Sequence, residues 1–497
     1  MPIANAERQE ATSQILRYGL LLLCVAAAFA LALKVLHWHS RSQSIPQIHA
    51  IVVLPLRNAG GDRDQYLADG ITEKLISDLG RISAVPVISR TSAMSLRQTN
   101  RSIPEIARQL GVDGVVDGFV LRDGNQIRIN AQLSDGNTGR QLWKREYFRS
   151  VSSTLQLASD IAHDIAAQIR IGVKAREQTG SAPAHQPDAE AQDLYLQGKY
   201  FLNRGDDYLE SIDYFQKAIE KDPSFAPAYA GLAADYNGLG RGGSLPYTEA
   251  YSKAKIAAKK ATELDKDSAE GHAALAEALV SLDWDWRAAG DEFHRALEAN
   301  PSSASAHLVY ARYLTKLGRS QEAISEAETG RKLDPLSLLA YHEVAYCYYA
   351  DRRYERALET IREAAELNLM SPSNVLHWVL GAIYVEKGNY QKAFGEFRVA
   401  RDWGHIGNAY ARAGQIEEAN QMIARLKAHV KERGTGTYEI ALVYAGLGNK
   451  DEAFVWLEKA YQVRDKGLTF LKIDPCVDPL RSDPRFQNLL RRVGLAD

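Results

Sequence analysis

Three hydrophobic rhythms follow one another along the chain. The first is an unbroken apolar run, "YGLLLLCVAAAFALALKVLHW", from Tyr18 to Trp38. The second, from His49 to about Ala175, mixes short strand-like runs with amphipathic stretches. "HAIVVLPL" reads as a buried strand. "DQYLADGITEKLISDLGRI" spaces Leu67, Ile71, Leu75 and Leu79 four apart, which predicts an amphipathic helix. "VPVISR" predicts another strand. "SIPEIARQLG" predicts a short helix capped by Ser102 with Pro104 in its first turn. "VDGVVDGFVLR" and "NQIRINAQLSD" predict a hairpin turning at Asp123-Gly124-Asn125, with Ile127, Ile129, Ala131 and Leu133 on one face. "RQLWKREYFR" predicts a last strand and "STLQLASDIAHDIAAQIRIGV" a closing helix. The sum is an α/β sandwich with helices mainly on one face, over residues 48–175. A polar, proline-bearing linker follows at 176–190.

The third rhythm is a repeat. Ala311, Ala323 and Gly330 return 34 residues later as Ala345, Ala357 and Ala364, and again after 36 as Gly381, Ala393 and Ala400. Gly407 and Ala419 return as Ala441 and Ala453; Ala276, Ala289, Ala296 and Pro301 lead into the same frame. Small residues at fixed places let the two helices of a hairpin approach closely. Tyr310, Leu314, Tyr348 and Tyr384 fill the spaces between them. "KDP", "ANP" and "LDP" end the second helices. One such hairpin cannot bury its apolar face alone, so hairpins must stack. About eight units fit residues 191–463. The closing "LKIDPCVDPLRSDPRFQNLLRRVGL", within 464–497, is expected to cover the last apolar face. Trp284 and Trp286 are expected to pack at a helix–helix corner, and His272, His307 and His377 to be structural rings at one repeat position.

The first run changes the class of the molecule. Between Arg17 and Lys34 lie 16 uncharged residues. They make roughly 24 Å of helix at about 1.5 Å each, and snorkelling of Lys34 extends this to about 31 Å, near a bilayer core of about 30 Å. Tyr18 and Trp38 then fall at the interfaces. A cleaved signal peptide is the rival reading, but the tail at 1–17 is long and carries Glu7 and Glu10. We therefore expect a retained membrane helix at 18–38. Flanking charges, Arg8 and Arg17 against Lys34 and Arg41, leave its orientation nearly tied. "HWH" at 37–39 is read as interfacial rather than metal-binding.

Composition adds exclusions. With 60 basic and 62 acidic residues, nothing favours bulk attraction to nucleic acid. Cys24, Cys347 and Cys476 are too few and scattered for a disulfide framework or a zinc site; Cys476 reads as a free thiol in a loop. No phosphate-binding G-x-x-x-x-G-K-[ST], H-E-x-x-H or G-x-S-x-G motif occurs. "GGDRDQYLADGITEKL", at 60–75, offers Asp62, Asp64 and Glu73 at calcium-loop positions 1, 3 and 12. Tyr66 and Leu67 occupy positions 5 and 6, where a ligand and a glycine are needed. The stretch therefore reads as a turn into a helix, with carboxylates at its positive end. No catalytic residue, metal or cofactor is expected.

Two resemblances complete the reading. The 34-residue pattern resembles the tetratricopeptide repeat. That resemblance implies a superhelix whose first helices line a concave groove for a protein or peptide partner. Its usual groove positions fall on Arg312, Thr315, Lys316, His342, Tyr346, Tyr349, Trp378 and Glu386. The segment from "IVVLPLRNAGGDRDQYLADGITEKLISDLGRISAVPVISRTSA" to "IARQLGVDGVVDGFVLRDGNQIRINAQLSDGNTGRQLW" resembles the TolB-amino-terminal-like (FlgO-like) domain. This domain often precedes such repeats in bacterial membrane proteins, among them CadC-like winged-helix regulators and class III adenylate cyclases. Here only about 17 residues stand before the apolar run, too few for either output domain. The expected protein is a non-enzymatic scaffold or sensor in the bacterial inner membrane, with its α/β and repeat domains periplasmic. A signalling component acting through a separate output protein is the alternative.

Overall fold

The computed structural model describes residues 48–82, 85–169, 187–204, 208–370 and 375–496. The 1–17 tail, the 18–38 apolar run and most of the linker lie outside them. No helix among the described residues is long and apolar enough to cross a membrane.

The amino-terminal part is a sheet flanked by helices. Strand β1 (Ile51–Val53) pairs parallel to β3 (Gly114–Asp123), and β2 (Arg57–Asn58) pairs parallel to β3 further along, after Pro55 interrupts the run. β3, β4 (Gln126–Asp135) and β5 (Gln141–Ser150) follow antiparallel. The turn at Gly124, φ 55°, joins β3 to β4. Ile127, Ile129, Ala131 and Leu133 are all buried, so the two-residue alternation sets the inner face. Against that face pack α1 (Gln65–Ile82) and α4 (Thr154–Gln168). The other face, through Val52 and Val115, is covered by α2 (Arg90–Met94) and α3 (Ile103–Leu110). Glu105 Oε2 accepts the Ser102 N–H at 2.7 Å, tying down the start of α3. "VPVISR" is a correction. Val87 makes one isolated bridge to Ile51, and helix α2 begins at Arg90. Pro86, which lacks an N–H, and the early helix start leave no length for a strand.

The repeat region follows as stacked helical pairs. They are α5/α6 (Ala189–Arg204, Tyr208–Lys221), α7/α8 (Ala226–Gly242, Tyr247–Leu264) and α9/α10 (Ala269–Ala278, Trp286–Ala299). Next come α11/α12 (Ala304–Lys316, Ser320–Leu333), α13/α14 (Leu338–Ala350, Tyr354–Glu366) and α15/α16 (Leu376–Glu386, Tyr390–Ala400). α17/α18 (Trp403–Arg412, Ile416–Arg433) and α19/α20 (Thr437–Gly446, Lys450–Gln462) complete the array. The recurring small residues sit where helices touch. Ala276, Ala311, Ala345, Ala357, Ala393, Ala441 and Ala453 are wholly buried. A methyl group at Gly381 would lie 2.7 Å from the Phe397 ring. His272, His307 and His377 each hold a glutamate of the following helix: Glu292, Glu326 and Glu396.

The α/β part docks directly onto the repeats. The Tyr66 hydroxyl donates to Asp193 at 2.6 Å, and Lys199 pairs with Glu73 at 2.7 Å. A methyl group at Gly70 would collide with the Leu196 side chain, so this glycine lets α1 and α5 touch. Farther along, Ser92 Oγ donates to Asp334 at 2.6 Å and the Ser89 N–H to Leu333 at 2.7 Å. The "LDP" turn that stops α12 is therefore also a docking point. Asp69 and Glu73, two carboxylates of "GGDRDQYLADGITEKL", pair with Arg97 and Lys199.

The closing segment takes a second path besides covering the last pair. Its helix α21 (Pro484–Val493) does lie on α20: Arg485 pairs with Asp451 and Arg492 with Glu458. The same helix reaches back to the third pair, where the Trp286 N–H donates to Val493 O at 2.8 Å. The Trp284 ring lies 5.6 Å from that of Tyr461, and Arg464 lies 5.0 Å over Trp284. The array thus curls until its third and eighth pairs meet.

Candidate peptide-binding groove

The first helices of the pairs line the concave side, and the closing segment runs through it. Two short 3-10 turns, Lys466–Phe470 and Pro475–Leu480, carry the chain there. Asp465 and Asp474 start them by accepting the N–H groups of Gly467 and Cys476, at 2.9 and 2.8 Å. Phe470 enters the groove, its ring 6.3 Å from Tyr346 at a steep angle and 4.6 Å from Lys316 Nζ. Arg352 pairs with Asp478 at 3.0 Å. The Tyr438 hydroxyl donates to Asp474 at 2.9 Å.

The residues assigned to the groove from the repeat pattern gather here, and each already has a partner within the chain. Arg312 forks onto Glu343, with Nε 3.2 Å from Oε2. His342 Nδ1 lies 3.1 Å from the same carboxylate. Burial opposes a charge on Glu343, but Arg312 and His342 outweigh it and hold the carboxyl at about 2. Thr315 Oγ1 donates to Ala311 O at 2.9 Å and lies 3.3 Å from Cys347 Sγ. Burial, helped by Arg312, pulls Lys316 down to about 7. Tyr346 stacks on His342 and lies 5.9 Å from Trp378, whose own N–H donates to Asp402 at 2.9 Å. Tyr349 meets Trp378 edge-on at 5.7 Å. Glu386 pairs with Arg412. Thr315, Lys316, Tyr346 and Tyr349 are all buried. Phe470 of the closing segment covers Tyr346 and Lys316, whereas Thr315 is packed between helices against Cys347.

Beside Phe470 the groove keeps a cavity of about 200 Å³. Its wall includes Arg241, Glu277, Arg312, Lys316 and, from the closing segment, Lys466. Arg241 pairs with Glu277. Sequence reasoning missed Arg241, Glu277, Lys466 and Phe470. Glu277 follows Ala276 as Arg312 follows Ala311, so extending the repeat frame upstream would have found it; Arg241 lies beyond the corresponding positions of its helix, and the frame does not mark it. Nothing local marks Phe470. Cys476, read as a free thiol in a loop, is a free thiol buried within a 3-10 turn.

The tetratricopeptide repeat family matches this chain at residues 285–337, 312–368, 345–404 and 438–466. The matched stretches fall within the third to sixth pairs and the eighth, and repeats of this kind generally build protein-interaction scaffolds. Among individual proteins, the chain is 32% identical over 242 residues to "Putative adenylate cyclase 3" of Rhizobium meliloti, covering 47% of this chain and 41% of that one. It is 23% identical over 297 residues to the transcriptional regulator HilA of Salmonella typhimurium, covering 58% and 52%. The matches thus span about half or less of these relatives' length. Among solved structures, YrrB, described as a tetratricopeptide protein with an unusual peptide-binding site, aligns with 24% identity and a TM-score of 0.26. That alignment covers 38% of this chain and 88% of YrrB.

Proposed function

We propose that this protein is a non-enzymatic interaction scaffold or sensor whose concave groove binds a protein or peptide partner in exchange for its own closing segment. The observation that carries the reading is the groove's present occupant. A peptide segment of the chain, with Phe470 against Tyr346 and Lys316, already lies where a partner would lie. Arg312, Thr315, Lys316, His342, Tyr346, Tyr349, Trp378 and Glu386 are the proposed contacts once it leaves. Aromatic and charged side chains of this kind suit an extended or helical peptide.

We assign the 48–175 domain to the TolB-amino-terminal-like class on its series of motifs. We assign residues 18–38 to a single membrane helix, which would hang both domains on the periplasmic side of the inner membrane. Labelling of a Glu417→Cys variant with an impermeant maleimide tests this topology, because Glu417 is exposed whereas Cys476 is not. Labelling in intact spheroplasts is expected; protection would overturn it. A second reading, signalling through a separate output protein, is favoured by the similarity to proteins named as an adenylate cyclase and a transcriptional regulator.

Competition in trans tests the groove itself. Proximity crosslinking from the periplasmic side identifies the partner. A synthetic peptide of residues 464–497 should then reduce its capture, and Phe470→Ala should increase it. Capture indifferent to both would refute a groove-bound partner.

A further inference from the structure

Where the closing segment crosses the seventh repeat, three side chains converge that neither the repeat pattern nor the groove reading uses. They are His405 on α17 and Asp474 and Cys476 on the closing segment. One ligating atom from each falls within 4.8 Å of the others. Asp474 and Cys476 are buried, and the His405 side chain is 13% exposed. Their orientation is fixed from behind. His405 Nδ1 lies 2.9 Å from Asp402 Oδ2, and the Trp378 N–H donates to that same oxygen at 2.9 Å. The other Asp402 oxygen accepts the His405 backbone N–H at 2.8 Å. A carboxylate held this way accepts the Nδ1–H hydrogen bond, which leaves Nε2, on the far side of the ring, as the nitrogen a metal would take. Asp474 is braced in turn by the Tyr438 hydroxyl at 2.9 Å and the Cys476 N–H at 2.8 Å.

We infer that His405, Asp474 and Cys476 form a binding site for a zinc-class divalent cation, with Asp402 as the positioning residue behind His405. Thiolate, imidazole and carboxylate together are the donor set of zinc or cobalt(II), rather than of magnesium or calcium. Around such an ion, bonds of about 2.0–2.3 Å place neighbouring donors roughly 3.5 Å apart, so the observed spacing needs only a small contraction. The charges also balance. On binding, the Cys476 thiol and His405 Nε2 each give up a proton to solvent; the thiolate and the Asp474 carboxylate then neutralise the divalent ion, and the Nδ1–H of His405 still meets Asp402. Three protein ligands leave a fourth tetrahedral position for water. Because His405 belongs to the superhelix and the other two ligands to the closing segment, the ion fastens that segment into the groove.

The test uses the full chain, tag-free, stripped with a chelator and then given zinc alone. One equivalent should remain after gel filtration. Cobalt(II) should show tetrahedral bands with a thiolate charge-transfer band. Cys476→Ser should abolish that band, and His405→Gln should weaken binding at least as much as Asp402→Asn, for which about 10–100-fold is expected. X-ray absorption of the wild-type zinc form needs no variant and should show one sulfur at about 2.3 Å. Wild-type protein that is folded by circular dichroism yet retains no zinc would overturn the site. So would a zinc shell without sulfur, or an unchanged cobalt spectrum in folded Cys476→Ser. Partner capture enters none of these readouts, so the site stands or falls apart from the groove reading.

Discussion

Lys199 shows at the scale of one residue how the two domains are held. Its side chain is 8% exposed and sits 2.7 Å from Glu73 and 3.2 Å from Glu270. Burial alone would pull its pKa down, but the two carboxylates outweigh it and keep the amine charged. Removing Lys199 leaves the largely buried Glu73 carboxylate to Arg90 at 3.5 Å and Asn203 at 2.7 Å alone. Lys199→Met should cost about 3–5 kcal/mol in urea unfolding, and Glu73→Gln in the same chain should recover part of it. Asp235 makes a pH prediction. Burial raises it to about 7, although Ser211 donates to it at 2.6 Å. Unfolded, it titrates near 3.9. Between those values the folded chain holds the extra proton, so stability from this group falls as pH rises from about 4 to 7, by up to roughly 4 kcal/mol. Thermal melts of Asp235→Asn should lack that part of the slope; a slope identical to wild type would assign it elsewhere.

Elements were legible to the extent that their signals were local. Alanines spaced 34 apart mark the helical pairs because each one sits at a helix contact, and Asp123-Gly124-Asn125 marks a hairpin because it needs only its own backbone. "VPVISR" failed because a strand is a partnership, and only Val87 finds one. The closing segment was read as an end cap, which describes α21 on α20. Its path through the groove and its return to the third pair depend on contacts 126 and 207 residues apart, Arg352 with Asp478 and Trp286 with Val493, and no periodicity encodes those. The repeat frame marks Lys316 and Tyr346, which lie against Phe470; the partners these side chains find within the chain carry no periodic signal. Phe470→Ala removes a ring and its cation–π contact, a loss on the order of 1–3 kcal/mol confined to the segment. Hydrogen exchange should accelerate across residues 466–480 and stay unchanged in α11 and α13. Equal acceleration in those helices would mean that the segment is part of the cooperative core.

As a whole molecule, the α/β domain and the repeats share a seam from Tyr66–Asp193 to Ser92–Asp334 rather than hanging on a free tether. Residues 48–497 should therefore unfold in one cooperative transition followed by calorimetry. Two independent transitions in the wild-type chain would contradict the seam. The central claim is that the groove is filled by the chain's own closing segment, and a photo-crosslinking residue at position 470 tests it most directly. In the absence of partner, peptide mapping should find position 470 joined within one chain to the peptides holding Lys316 and Tyr346. Crosslinks confined to the eighth pair, or none within the chain, would contradict the account.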